Sequence, residues 1–263
     1  MAKEREFPTY THVEDPIPFD EELLIFGDSI ETEYGTFRFY GYHEYLKRME
    51  YLTMMSFSML KFYYTFRSQM KEAKASREEL ITLKEIRYEE LFDFIRGQRE
   101  VLFSYLTVFG ELIDHPTVDY GDPEIFMNLE SDDFYRMRQL ILRMHLLKEE
   151  RLSPSIAVQD QLDKGKKFRS AGQESPNTDA IISSIVVATG MTYEQIRNMT
   201  AYQVLVTYSR IHSFKDNELT TLFATVSPDM EISRWDKNHE ILKDDLGVME
   251  GTQFNKQIGS IFE

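Results

Sequence analysis

The sequence predicts a mainly α protein: a helical bundle with a small N-terminal β-hairpin and extended terminal arms. Three observations carry that expectation. Between His43 and Ala75, apolar residues recur every three to four positions with no proline or glycine among them, which is the period of a helix. Thr192 is followed three residues later by Gln195, and Thr200 by Gln203. Each pair is a capping box: the Thr hydroxyl accepts from an orphan N–H and the Gln reaches back to the Thr backbone. Two-residue periodicity shows in ETEYGTFRFY, Glu31 to Tyr40, where Phe37 and Phe39 alternate with Thr36, Arg38 and Tyr40 after a turn near Gly35.

The totals bound what the chain can be. Its 263 residues suit one large domain or two small ones. A formal charge of −15 argues against nucleic acid or an anionic membrane as a partner. It suits a chain that repels its own copies or meets a basic surface. With no cysteine, disulfides and thiolate metal sites are excluded. The N-terminus has no signal-peptide core, and no run of about 18 apolar residues suggests a span. Host cytoplasm is the expected location.

Residues 1–19, broken by Pro8, Pro16 and Pro18, read as an extended arm. The unit 20–113 follows, with the hairpin and long apolar helices. A lone hairpin is marginal, so it must pack on helices or pair with another chain. In the 43–75 segment Leu46, Met49, Leu52, Met55, Met59, Phe62, Phe66 and Met70 form one stripe, and Met54, Phe57, Leu60 and Tyr64 a second. A helix apolar around most of its circumference is central in a core or covered by a partner. The core reading is the plainer one; methionine's adaptability allows a binding surface as well. Arg77 to Arg96 reads as an amphipathic helix with a charged face, Gly97 permits a break, and Val101 to Ile113 is another helix.

Residues 114–130 are turn-rich, with Pro116, Gly121 and Pro123, and mark a hinge. The unit 131–243 is a second helical bundle. Ser131-Asp132-Asp133 starts a helix whose inner face is Phe134, Met137, Ile141 and His145 or Met144. A helix from Ser155 to Phe168 follows, with Ile156, Val158 and Leu162, then a loop, then a helix from Asp179 to Thr189 ended by Gly190. After the two capping boxes, Val204, Leu205, Tyr208, Ile211 and His212 continue a helix expected to end near Phe214 and Asp216-Asn217. Leu219, Leu222, Phe223 and Val226 then begin another, stopped by Pro228. Ile232, Trp235 and Ile241 could clip the tail, and 244–263 reads as weakly ordered or partner-bound.

No catalytic signature emerges. None of the six histidines is paired at a metal-binding spacing. His145 and His212 sit near apolar residues and read as structural. Lys164 to Arg169 contains Gly-Lys but no phosphate-loop glycine ahead of it, so it reads as a solvated face. Paired acids such as Glu149-Glu150 read as surface charge and caps. No enzyme, cofactor or metal is expected.

Several stretches carry a resemblance: DDFYRMRQLILRMH (Asp132–His145), Leu152-Ser153-Pro154, MTYEQIRNMTAYQ, VTYSRIHSFKD, LTTLFATVS, and the hairpin with its Met-rich helix. Together they resemble tail assembly chaperones and related tail-morphogenesis proteins of long-tailed phages of Gram-positive hosts. The resemblance covers about residues 130–230 well and 25–70 loosely. It implies a non-catalytic protein that binds the tape-measure protein and recruits tube subunits. The long N-terminal part leaves open a resident subunit of the virion tail or baseplate. The expected partner surface is Met55, Met59, Phe62, Phe66, Tyr208, Phe214 and Phe223, with self-association allowed.

Overall fold

In the computed structural model, residues 13, 15–73, 76, 78, 83–170, 176–227, 232 and 234–236 are described. The fold is mainly helical with a small antiparallel sheet. The hairpin forms as its alternation predicts. Strand β1 (Ile30–Thr32) pairs with β2 (Gly35–Phe37), Ile30 opposite Phe37 and Thr32 opposite Gly35. The chain itself supplies the support the hairpin needs: β3 (Ile113–Asp114) adds to the other edge of β2. Gly35 has φ +113, and a Cβ there would meet the Asp114 carbonyl oxygen at 2.6 Å, so both conformation and space demand glycine. Ile30 and Phe37 point into the core, and Tyr34 reaches out to donate to Asp133 at 2.6 Å.

Helix α1 (Glu22–Phe26) precedes the sheet. After it, the segment expected to be one helix is two: α2 (Tyr42–Met55) and α3 (Met59–Glu72). The break has a local cause. The Ser56 hydroxyl donates to the Thr53 carbonyl at 2.7 Å, and the Ser58 hydroxyl caps α3 by accepting from the Lys61 N–H at 3.2 Å. Serine side chains that serve the backbone this way compete with helix continuation. The core reading of the segment holds: Leu52, Met55, Met59, Leu60, Phe62 and Tyr63 are all buried.

The Arg77–Arg96 stretch likewise divides. A 3-10 turn (Lys84–Tyr88) ends in extended backbone at Glu89 and Glu90, and α4 (Leu91–Gly97) begins afresh. Four of its seven residues, Leu91, Phe92, Phe94 and Ile95, are buried. That demand sets a new helical phase. Helix α5 (Arg99–Leu112) runs into β3, and α6 (Pro123–Met127) starts on an Asp122 cap. Helix α7 (Ser131–Met144) follows. An aromatic core joins these four helices: Phe92 stacks on Phe134 at 4.1 Å, and Phe126 meets Phe109 edge-on at 5.4 Å. Residues 15–19 lie on α7, where Arg136 donates to the Asp15 carbonyl at 2.9 Å and Ile17 is buried.

Helix α8 (Ile156–Ser170) is joined to α3 mainly by polar contacts. Arg67 pairs with Asp160 at 3.3 Å, and Glu150 bridges Lys61 and Lys166. Its Val158, expected inward, is exposed, while Gln159 is the buried residue. Helix α9 (Thr178–Thr189) ends on left-handed Gly190, as expected. Both capping boxes form, starting α10 (Tyr193–Asn198) and α11 (Ala201–Ala224). The expected stop near Asp216-Asn217 does not occur. No glycine or proline lies within α11, and Lys215 supports the turn through Glu218 at 2.7 Å.

Candidate functional site

Of the residues expected to meet a partner, Met55, Met59 and Phe62 are interior and present no surface. Phe66 is half-buried and stacks on Phe62. Their apolar character is explained by the core. Tyr208, Phe214 and Phe223 all lie on α11, where Tyr208 is half-buried and the other two are exposed. The long helix is therefore the candidate site.

Its N-terminal end is held firmly. Gln203 uses both ends of its amide: Oε1 accepts from the Thr200 N–H at 2.8 Å, and Nε2 donates to the carbonyls of Ile25 and Phe26 at 2.9 and 3.0 Å. One side chain thus starts α11 and ends α1. Gly27 makes the close approach possible, since a Cβ there would meet Thr200 Cγ2 at 2.8 Å and φ is +74. Opposite, Gly41 bridges Thr200, and Tyr42 N–H donates to the Met199 carbonyl at 2.7 Å.

From this anchorage one face runs the helix at three- and four-residue steps, Ala201, Val204, Tyr208, Ile211, Lys215, Leu219 and Leu222, with Val226 just past its end. Ala201 and Val204 are fully buried, Tyr208 and Ile211 half-buried. Beyond them the body ends and the helix does not. Leu219, Leu222, Phe223 and Val226 are 52, 65, 47 and 79 % exposed. At 1.5 Å per residue the helix is about 36 Å long, and its last three turns carry apolar groups into solvent. The exposed apolar area is on the order of several hundred Å², the scale of contact sites on monomers. The sequence showed Leu219, Leu222 and Val226 as apolar but assigned them to a separate helix, which hid the continuity of the face. Smaller exposed apolar groups are Ile25 and Phe26 at the tip of α1. Phe103 and Tyr51 flank a groove of about 760 Å³ between α2 and α5.

The buried polar chemistry lies elsewhere and was not singled out from the sequence. Arg138 on α7 is buried at the α2–α3 break. Its Nε donates to the Met55 carbonyl at 2.9 Å and to the Tyr105 hydroxyl at 3.1 Å, Nη2 donates to the Phe57 carbonyl at 3.2 Å, and Nη1 pairs with buried Glu149. A guanidinium thus serves the carbonyl end of α2, where positive charge is favoured. Burial works against its charge, but Tyr105 and Glu149 outweigh that and hold its pKa above the ordinary value. The available signal was position: Arg138 shares the inner stripe of Phe134 and Ile141. His145 is buried beside Tyr45 and Tyr40, its Nδ1 paired with the Ile141 carbonyl at 2.8 Å. Burial pushes its pKa down to about 4. His212, expected near the core, is exposed. Among the described residues no group of three or more His, Asp or Glu could hold a metal ion, and no helix is long and apolar enough to cross a membrane.

Comparison with known proteins places the chain. Its residues 19–154, more than half its length, match the YomV N-terminal domain, and residues 171–240 match the YomV second domain. The chain belongs to the YomV family. A relative is the SPbeta prophage-derived uncharacterized protein YomV of Bacillus subtilis (strain 168), 27 % identical over 229 residues, covering 86 % of this chain and 91 % of that protein. No solved structure matches. In this YomV-family chain the second-domain match contains the whole of α11, while the Arg138 network lies within the N-terminal match.

Proposed function

We propose that this YomV-family chain is a phage protein and a non-catalytic tail-assembly factor that holds a helix-rich tail protein, the tape measure above all, against the projecting end of α11. The observation that carries the reading is the apolar face of α11, buried at Ala201 and Val204 and continuing into solvent through Leu219, Leu222 and Val226. A helix face that outruns its own core suits the addition of a partner helix. The prophage origin of the relative supports the phage setting, and the resemblance of the helix and cap pattern to tail-morphogenesis proteins supports the tail. The second reading is a resident subunit of the tail or baseplate. Residues 15–19 favour it, since an N-terminal segment that seats on a body through Arg136, Arg143 and the buried Ile17 could seat on a neighbouring copy.

The test is quantitative mass spectrometry of induced lysates and purified particles carrying the tagged chain. Co-purification with a long helical protein in the lysate, with absence from particles, is the expected result. It should be lost on Leu222→Glu. Fixed stoichiometry in the particle would replace the first reading with the second. Absence of the chain from the particles, with no phage protein co-purifying with it from the lysate, would overturn both.

A further inference from the structure

Two features of the surface are left without a role by the core and by α11. The first is Phe168, near the end of α8. It is 84 % exposed, more than any other aromatic side chain among the described residues. The residues around it, Lys164 to Arg169, hold four cations and no acid in a chain whose formal charge is −15. Helix α8 is seated on α3 through Arg67–Asp160 and Glu150–Lys166, contacts that make no use of the ring. Lys164 lies one turn before Phe168 on the same face of the helix, and both it and Lys167 are exposed. An aromatic knob set among cations thus projects from the body.

The second is the groove of about 760 Å³ between α2 and α5, within the ~300–1,000 Å³ range of ligand pockets. Tyr51, Met54 and Phe103 line it, the two rings edge-on at 6.0 Å, and Phe103 is 58 % exposed. Such walls accept a further ring, edge-on or against the methionine sulfur. Glu50 and Glu100 stand at its sides against a single cation, Arg99. Both carboxylates are exposed, and neither has an ion-pair partner among the described residues.

We infer that Phe168 of one copy inserts into the α2–α5 groove of a second copy, with Lys164 and Lys167 set against Glu50 and Glu100. The occupant is a second copy because this chain carries both halves of the contact. Each half is exposed, so neither fills the other within one molecule. Charge favours the same pairing, since the basic run meets two unpaired carboxylates. The −15 on each copy opposes approach at long range. At about 0.15 M salt that field is screened beyond about 8 Å, whereas ion pairs at an interface act at about 4 Å or less. An aromatic side chain anchored in a pocket is the usual centre of binding energy at an interface. The contact is head-to-tail: a copy that offers its knob leaves its groove open. It therefore repeats, to a ring where the rotation closes and to a filament where it does not. Neither α11 nor residues 15–19 take part, so the inference stands apart from both readings of function above.

Sedimentation velocity of the full-length chain tests it, at about 10–500 µM, where small interfaces associate, and in about 0.15 M NaCl. Two variants break opposite halves of the contact. Phe168→Glu removes the knob, and Glu50→Lys with Glu100→Lys reverses the charge beside the groove. All three positions are exposed, and circular dichroism confirms that both variants fold. The wild-type chain should associate as concentration rises, and in each variant association should weaken at least about tenfold. Mixed one to one, the variants should form a dimer and nothing larger, since one intact knob then meets one intact groove. A wild-type chain that stays monomeric throughout would overturn the inference. So would a variant that associates as the wild type does, or a mixture that stays monomeric, which would place the self-contact elsewhere.

Discussion

Replacing Arg138 with methionine should be among the most damaging single changes in the molecule. Its side chain is 3 % exposed and that of its partner Glu149 is 5 % exposed. The substitution keeps the aliphatic bulk and removes the guanidinium. The carbonyls of Met55 and Phe57 lose their donor, the Tyr105 hydroxyl loses a neighbour, and Glu149 remains as a buried charge with its ion-pair partner gone. Breaking one side of a buried pair costs about 3–5 kcal/mol. For a protein of this size each kcal/mol moves the midpoint by about 2–4 °C, so the expected loss is about 10 °C. The assay is thermal unfolding followed by circular dichroism at neutral pH. The double variant Arg138→Met with Glu149→Met removes both charges and should recover most of the loss. A fall of less than about 3 °C for the single variant would refute the assignment. A double variant no better than the single would show that the carbonyl contacts at the α2–α3 break, and not the ion pair, carry the energy.

Other expectations follow from the same structure. His145 is held neutral, its pKa about 4 against an ordinary 6.5; the folded chain therefore binds fewer protons between these values, and stability is present above 6.5 and lost as pH falls toward 4. The loss is about 3 kcal/mol at about 1.4 kcal/mol per unit; urea titrations at pH 7 and pH 4.5 should show it, and His145→Phe should reduce the difference. Gln203→Ala removes one cap of α11 and two donors to α1, and should lower stability by about 1–2 kcal/mol in the same titration. Leu222→Glu should leave the midpoint nearly unchanged, whereas Met55→Ala, at a fully buried site, should cost about 2–5 kcal/mol; comparable losses for the two would mean that the end of α11 is packed rather than exposed.

The parts of the fold that were legible are those fixed by local chemistry. The two capping boxes, the hairpin turn at Gly35 and the Gly190 terminus each depend on residues within a few positions of one another, and all formed. The boundaries that moved were decided at a distance or by weaker side chains. The α2–α3 break rests on two serines within an otherwise uninterrupted apolar run, and Arg138 from another helix completes it. The third strand was invisible because two residues, Ile113 and Asp114, have no period to read.

The candidate site shows why apolar richness is a poor guide to a binding surface. The segment with the most methionine and aromatic residues is consumed by the core, because two apolar stripes on a helix require neighbours on two sides and α5 and α7 supply them at Met55. Helix α11 has a single face, and what distinguishes it is length. The helix meets α1, α2 and α9, and its face is buried at Ala201 and Val204, while at its far end Leu219, Leu222 and Phe223 are exposed. The exposed apolar face there arises from a mismatch between the length of one helix and the size of the core it grows from. Whether the helix stops near Asp216-Asn217 or runs its full 24 residues is therefore the feature that matters, and it turned on those two residues, which often end helices but here sit within one.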